Sequence, residues 1–302
     1  MTKIKIASAA YPLDWFDSWN DYEEKITQWV QAAAEEGAQL LVFPEYGAME
    51  LASLGGAEAA ADLEAALQVV ARFRPEMDML FMDLAFRHRL YILAPSGPVI
   101  EGAAEVRVNR ATLIGPTGII GHQDKAVMTR FEREDWHVGP GEGLRVFDTS
   151  LGRIGITICY DTEFPLLARA MCENGAMILL CPSCTDTPAG FHRVRIGAMA
   201  RALENQCVSV QAATIGTAEW CPAIDENHGA AGVFGPPDLG WPESGVLASG
   251  EVNQPGWVYA EIDTDQITQS RENGGVLLFQ HWPEQENQVK TVTIARETMA
   301  SS

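Results

Sequence analysis

The chain has 302 residues, 47% of them hydrophobic, with 21 Lys plus Arg against 41 Asp plus Glu and a formal net charge of −20. That size and apolar content support one large α/β domain, or two medium ones, and exclude a disordered chain. The acidic charge is scattered and opposes phosphate backbones and anionic membranes, which excludes nucleic acid and membrane partners.

The N-terminal MTKIKIASAAYPLDW alternates apolar positions without a long apolar run, so it predicts a first strand at 4–8 and no secretion signal. No later apolar stretch is long enough to span a bilayer. Six cysteines in apolar settings suit a reducing compartment better than a disulfide framework, and we expect a cytoplasmic protein. WNDYEEKITQWVQAAAEEG (19–37) is amphipathic and stops at Gly37 as a helix would. QLLVF (39–43) predicts a strand, followed by two helical patterns at about 57–73 and 76–88 and a strand over 89–95.

VRVNRATLIGPTGIIGH (106–122) predicts a hairpin turned at Gly115-Pro116-Thr117-Gly118, and LRVFDTSLGRIGITIC (144–159) repeats the pattern around Ser150 to Gly152. Helix 165–173, strand 176–181, helix 190–205 and strand 207–213 then alternate. The last third is turn-rich over 229–250, strand-like over 257–263 and helical over 264–273. No repeat and no linker divides the chain, and hairpins mixed with helical crossovers indicate a mixed sheet covered by helices, a layered α/β sandwich.

GITICYDTEFP (155–165) ends an apolar run on Cys159, followed by a polar turn and Pro165, a residue suited to the first position of a helix. A single cysteine is ordinarily a small core hydrophobe, and Cys172, Cys207 and Cys221 are read so. Cys159 differs because a strand end that leads into a helix lies at the mouth of a sheet. Backbone N–H groups there lower a thiol's pKa and leave donors for an oxyanion. No histidine stands at a comparable strand end with an acid, but Glu45 follows the run LLVFP and Lys125 follows GIIGHQD. Taken singly, both charges read as solvated loop residues.

Together, "FPEY", "HQDKAVMTRFERE" and "GITICYDTEFP", in that order at strand ends, resemble the nitrilase superfamily of carbon–nitrogen hydrolases over about residues 3 to 265. The resemblance implies a four-layer αββα sandwich with mixed β-sheets. It also implies Glu45 as general base, Lys125 as oxyanion cation, Cys159 as nucleophile and the backbone N–H of Tyr160 as a second oxyanion donor. A further active-site glutamate is implied after the lysine; Glu132 has the favoured spacing, and Glu134 is the rival. Trp136, His137, Ser183, Cys184 and Thr185 are candidates for substrate binding, with Trp136 reading equally as core packing. Arg201, Glu204 and Asn205 are read as structural.

The implied reaction is hydrolysis of a small linear amide to a carboxylic acid and ammonia through an acyl-thioester, with no cofactor. Alternatives are a nitrile, an N-carbamoyl or ω-amide substrate, and a catalytically silent scaffold. Nitrilases of the family typically place Trp-Glu after the cysteine, and Tyr160-Asp161 here favours an amide. Cys181-Pro-Ser-Cys184 has no second pair with zinc spacing, so no metal is expected. Gly229-Ala-Ala231-Gly232 stands where many relatives carry Gly-x-Ser. The hydrolase domain is expected over 1–270, and 271–302 forms an extension at an oligomer interface or in partial disorder. A homodimer or larger homo-oligomer is the implied assembly.

Overall fold

The computed structural model describes residues 3–102 and 106–295. In chain order, β1 (Lys3–Pro12) leads into α1 (Trp19–Glu35), β2 (Leu40–Val42), a 3-10 stretch (Gly47–Gly55), α2 (Ala57–Ala60) and α3 (Leu63–His88). β3 (Tyr91–Leu93), β4 (Gly97–Glu101), β5 (Val106–Gly115) and β6 (Gly118–Asp124) follow, then the short α4 (Arg130–Glu134) and the hairpin β7 (Val146–Thr149) and β8 (Gly152–Ile156). A 3-10 turn (Cys159–Glu163) opens onto α5 (Pro165–Glu173), β9 (Ile178–Ser183), α6 (Pro188–Asn205) and β10 (Val208–Thr217). The chain ends with β11 (Glu226–Asn227), β12 (Gly232–Phe234), β13 (Val246–Ser249), β14 (Gly256–Asp263), α7 (Thr264–Asn273), α8 (Leu278–His281) and α9 (Gln285–Gln288).

Strand alternation builds the layers. In β1, Ala7, Ala9 and Tyr11 share a core with α1 and α3, whereas Ile4 and Ile6 pack into a second core. Side chains two apart on a strand share a face, so one decapeptide serves both sides of its sheet. β9 repeats the device, with Leu179 packed under α5 and with Ile178 and Leu180 in that second core. Residues of β2, β5, β8 and β10 meet there, which makes it the layer between two facing half-sheets. Helices cover both outer sides, and the order is α, β, β, α.

The hydrogen-bonded path runs β4-β5-β3-β2-β1-β10-β9-β8-β7. Its halves join where β1 and β10 run parallel from Ala10↔Ala213 to Pro12↔Ile215. β2, β8 and β9 are parallel members of these halves, so the loops after them open on the carboxyl ends of the strands, the usual place for a ligand crevice in α/β sheets.

The predicted hairpins form with Gly115 opposite Gly118 and Thr149 opposite Gly152. The two helices expected around Pro75 are instead one, α3, with the proline inside it. Proline removes one helix hydrogen bond; beside it Arg74 pairs with Asp78 at 3.0 Å and donates to the Arg110 carbonyl at 3.2 Å. α7 runs across residue 270, the expected domain boundary. Beyond it Phe279 lies under the Arg169 and Arg271 guanidiniums at 4.5 and 4.2 Å, on the α5 and α6 side. Residues 296–302 of the expected extension lie outside the described residues.

Candidate active site

Pro44 ends β2, and the chain turns sharply because Tyr46 adopts a left-handed φ of 53°. That turn drops Glu45 into the interior at 1% exposure. Its Oε1 accepts from Lys125 Nζ at 2.7 Å and from Asn109 Nδ2 at 2.9 Å, and its Oε2 accepts from the Cys184 backbone N–H at 3.0 Å.

Lys125 follows β6, and its backbone N–H donates to the Asn109 carbonyl at 2.9 Å. Its ammonium donates to both oxygens of Glu132 at 2.8 Å. Glu132 is also held by Tyr46 OH at 2.6 Å and, on Oε2, by the Thr129 amide and hydroxyl, each at 2.8 Å. Thr129 and Glu132 form the capping box of α4, so a local helix-start motif aims this carboxylate. Glu134 points outward and pairs with Arg130 at 2.8 Å, which leaves Glu132 as the glutamate at the lysine.

Cys159 stands at φ 48°, a conformation uncommon for a residue with a Cβ and characteristic of strained functional turns. Its thiol donates to the Cys184 carbonyl at 3.6 Å. Asp161, two residues on, accepts from the N–H groups of Val127 (2.8 Å), Ala126 (3.1 Å) and Ile158 (3.3 Å), tying the lysine loop to the cysteine turn. Behind the turn Gly197 of α6 approaches so closely that a Cβ there would meet the Thr162 carbonyl at 3.0 Å, and Arg201 donates to that carbonyl at 3.0 Å. Arg201 also pairs with Glu204, and Asn205 donates back to the Arg201 carbonyl, so the three brace α6 and the turn.

Burial sets the electrostatics. It pushes Glu45 up to about 7, with Glu132 adding to the rise and Lys125 opposing it. Burial would lower the Lys125 ammonium, but Glu45 and Glu132 outweigh it and hold the cation well above its usual range. For Glu132 the same burial is overcome by Lys125, and the carboxyl is held below the usual value. The thiol of Cys159 departs from the sequence expectation. Burial and the Glu45 charge raise it well above the ordinary value, and the nearby backbone donors do not reverse that. The resting pair is therefore a neutral thiol beside a carboxylate poised near neutrality.

A cleft of ≈ 720 Å³ opens over these groups, lined by Glu45, Lys125, Glu132, Cys159, Tyr160, Cys184 and Thr185 among others. Three candidates fall outside it. Trp136 is a core residue whose ring lies tilted against Tyr46 with centroids 5.0 Å apart and which donates to the Leu63 carbonyl. His137 is exposed, turned away by its own left-handed backbone, with its ring at the Arg133 carbonyl. Ser183 is buried in β9 and donates to the Ala212 carbonyl at 2.6 Å. Cys184, half-buried, donates to Asn227 Oδ1 at 3.3 Å, and burial pushes its thiol to about 12.

Asn109 and Ser96 were not singled out from the sequence, and Tyr46 and Asp161 entered it only within "FPEY" and Tyr160-Asp161, without the structural roles they take here. A buried polar residue inside the apolar run of β5 was the available signal for Asn109, whereas nothing local marks Ser96. Ala231 packs with Ala10 and Ile215. Among the described residues no group of three or more His, Cys, Asp or Glu is placed to hold a metal ion.

The family model for carbon–nitrogen hydrolases matches residues 5–272. The chain is 32% identical over 274 residues to a probable hydrolase, YhcX, of Bacillus subtilis, an alignment that takes 90% of this chain and 52% of the relative. It thus spans about half the length of that protein. Identity is 31% over 197 residues to a nitrilase of Pyrococcus abyssi (64% of this chain, 68% of the relative) and 28% over 259 residues to a deaminated glutathione amidase of Synechocystis (80% and 86%). The crystal structure of a carbon–nitrogen hydrolase from Helicobacter pylori matches with a TM-score of 0.73 at 19% identity, covering 95% of this chain and 96% of that one.

Proposed function

The chain belongs to the carbon–nitrogen hydrolase family, and from that premise we propose that it hydrolyses the C–N bond of a small linear amide through a Cys159 acyl-thioester. The observation that carries this reading is the buried contact of Lys125 with both Glu45 and Glu132 on the floor of the cleft that Cys159 also lines. A solvated loop lysine would not sit between two buried carboxylates.

In this mechanism the carboxylate of Glu45 takes the proton from Cys159 as sulfur attacks the amide carbonyl carbon. The developing oxyanion is met by the Lys125 ammonium and by the Tyr160 N–H, which lies in the first turn after Cys159 where amides lack an intrahelical acceptor. One such donor is worth about 10²–10³ in rate. Collapse of the tetrahedral species breaks the C–N bond, and Glu45 passes its proton to the departing nitrogen, which leaves as ammonia. Water then attacks the thioester carbonyl while Glu45 accepts a proton from it. The carboxylic acid leaves, and the proton returns to the Cys159 sulfur. Glu132 neither attacks nor transfers a proton; it orients the lysine.

A nitrile is the second reading, favoured by the Pyrococcus relative, and Tyr160-Asp161 after the nucleophile speaks for the amide. The proposal extends to a cytoplasmic homo-oligomer, to a hydrolase domain over about 1–270 with an appended C-terminal segment, and to Cys184 and Thr185 as substrate contacts. Among the described residues no helix is long and apolar enough to cross a membrane. The test is ammonia release from a panel of small amides, N-carbamoyl compounds and nitriles. Cys159→Ala is expected to remove all release while its thermal unfolding stays near that of the wild type; retained turnover would sink the assignment.

A further inference from the structure

We infer that Asn109 is a positioning residue that decides which oxygen of Glu45 carries the proton during turnover, an inference that rests on the hydrolase reading above. Asn109 is fully buried in β5, and its side-chain amide is held at both ends. Nδ2 donates to Glu45 Oε1 at 2.9 Å, and Oδ1 accepts from Ser96 Oγ at 2.7 Å. Ser96 Oγ in turn accepts from the Tyr46 backbone N–H at 3.2 Å.

The direction of this chain is fixed by its far end. A backbone N–H can only donate, so the Ser96 oxygen accepts there and turns its single proton toward Asn109 Oδ1. The amide cannot flip without losing that bond and setting its carbonyl against the Glu45 carboxylate. Asn109 therefore presents a donor to Oε1. Lys125, which has no lone pair, presents a second donor to the same oxygen at 2.7 Å.

The two oxygens of Glu45 are consequently unequal. A proton on Oε1 would face two N–H donors and displace one of them. Among the described residues Oε2 accepts from the Cys184 N–H and keeps acceptor capacity toward the Cys159 thiol, whose hydrogen bond also bears on this carboxyl. The proton taken from Cys159 resides on Oε2, and the same oxygen delivers it to the leaving nitrogen, so no rotation of the carboxyl group is needed between the two half-reactions. Without the Asn109 donor, Oε1 is held by Lys125 alone, and the Glu45 anion loses a charge-assisted bond inside a buried site. Losing a bond of that kind moves the titration of a carboxyl group upward by about one to two pH units.

Two readouts against pH test this in Asn109→Leu and Ser96→Ala: ammonia release on the best amide of the panel, and iodoacetamide labelling of Cys159 followed on its own peptide by mass spectrometry. In Asn109→Leu the midpoint of both profiles is expected to move up by about one to two pH units, with kcat reduced and KM held. Ser96→Ala, which frees the amide to turn, is expected to move it less in the same direction and serves alone if the leucine variant does not fold. Unmoved midpoints overturn the inference. So does a loss of kcat equal at every pH, the mark of a merely structural role. Labelling needs no substrate, so a wild-type enzyme that releases no ammonia from any compound refutes the hydrolase reading while the labelling profile still judges Asn109.

Discussion

At Cys159 the backbone carries a left-handed turn, and the side chain carries a proton it would ordinarily keep at neutral pH. The second follows from burial. The turn lifts the sulfur off the strand end into the cleft, and the dry surroundings disfavour thiolate and carboxylate alike. Glu45, pushed up to about 7, is a base matched to physiological pH, the condition under which a carboxylate both accepts and returns a proton efficiently. In the proposed mechanism Glu45 must be ionised to take the thiol proton, so activity is lost as pH falls through its pKa. We expect kcat/KM to rise with unit slope below about pH 7 and to level off above it. A profile taken across that midpoint that stays flat would count against Glu45 as the base. "FPEY" marked this residue in the sequence, but its raised pKa comes from burial, with Glu132 adding to it and Lys125 opposing it, surroundings that only the folded chain assembles.

At the scale of elements, the site is an agreement among strand ends. β2, β6, β8 and β9 each stop at the same edge, and short turns after them deliver Glu45, Lys125, Cys159 and the Cys184 backbone. Asp161 sets two of these turns in register by accepting three backbone N–H groups, and burial pushes its carboxyl up to about 6 against the pull of Lys125 and those donors. Asp161→Asn places an amide NH₂ where only acceptors fit. It is expected to lower stability to urea by about 1.5–3 kcal/mol and kcat by roughly 10²-fold, because a displacement of about 1 Å between nucleophile and cation is costly. Wild-type kcat in a folded Asp161→Asn variant would show that the lysine and cysteine turns hold their places without it. The strands and hairpins were legible from alternation and turn residues. α3 was not, because Pro75 reads as a stop in sequence, whereas the buried residues on both sides of it, Val70, Met77 and Phe81 among them, pack into one core and Arg74 pairs with Asp78 across it.

For the whole molecule, the outer face of the α5 and α6 layer carries the exposed Leu166 and Ile196, at 71% and 66% exposure. Scattered apolar side chains are normal on a surface, but these stand on neighbouring helices. We expect light scattering to give the mass of two or more chains, and Leu166→Glu with Ile196→Glu to reduce it. A wild-type mass of one chain at micromolar concentration would refute the oligomer. The sequence by itself determined the alternation of strands and helices, the family and the three chemically informative strand ends, because apolar period, turn residues and short motifs are local properties of a chain. Tertiary structure alone placed Glu132 rather than Glu134 against Lys125, a position the spacing favoured without deciding it, set Trp136, His137 and Ser183 outside the cleft lining, raised the Cys159 thiol instead of lowering it, and brought Asn109 to Glu45. Burial depends on the whole fold, and the donors on Glu45 come from Asn109 and the Cys184 amide, 64 and 139 residues away, which no local pattern encodes.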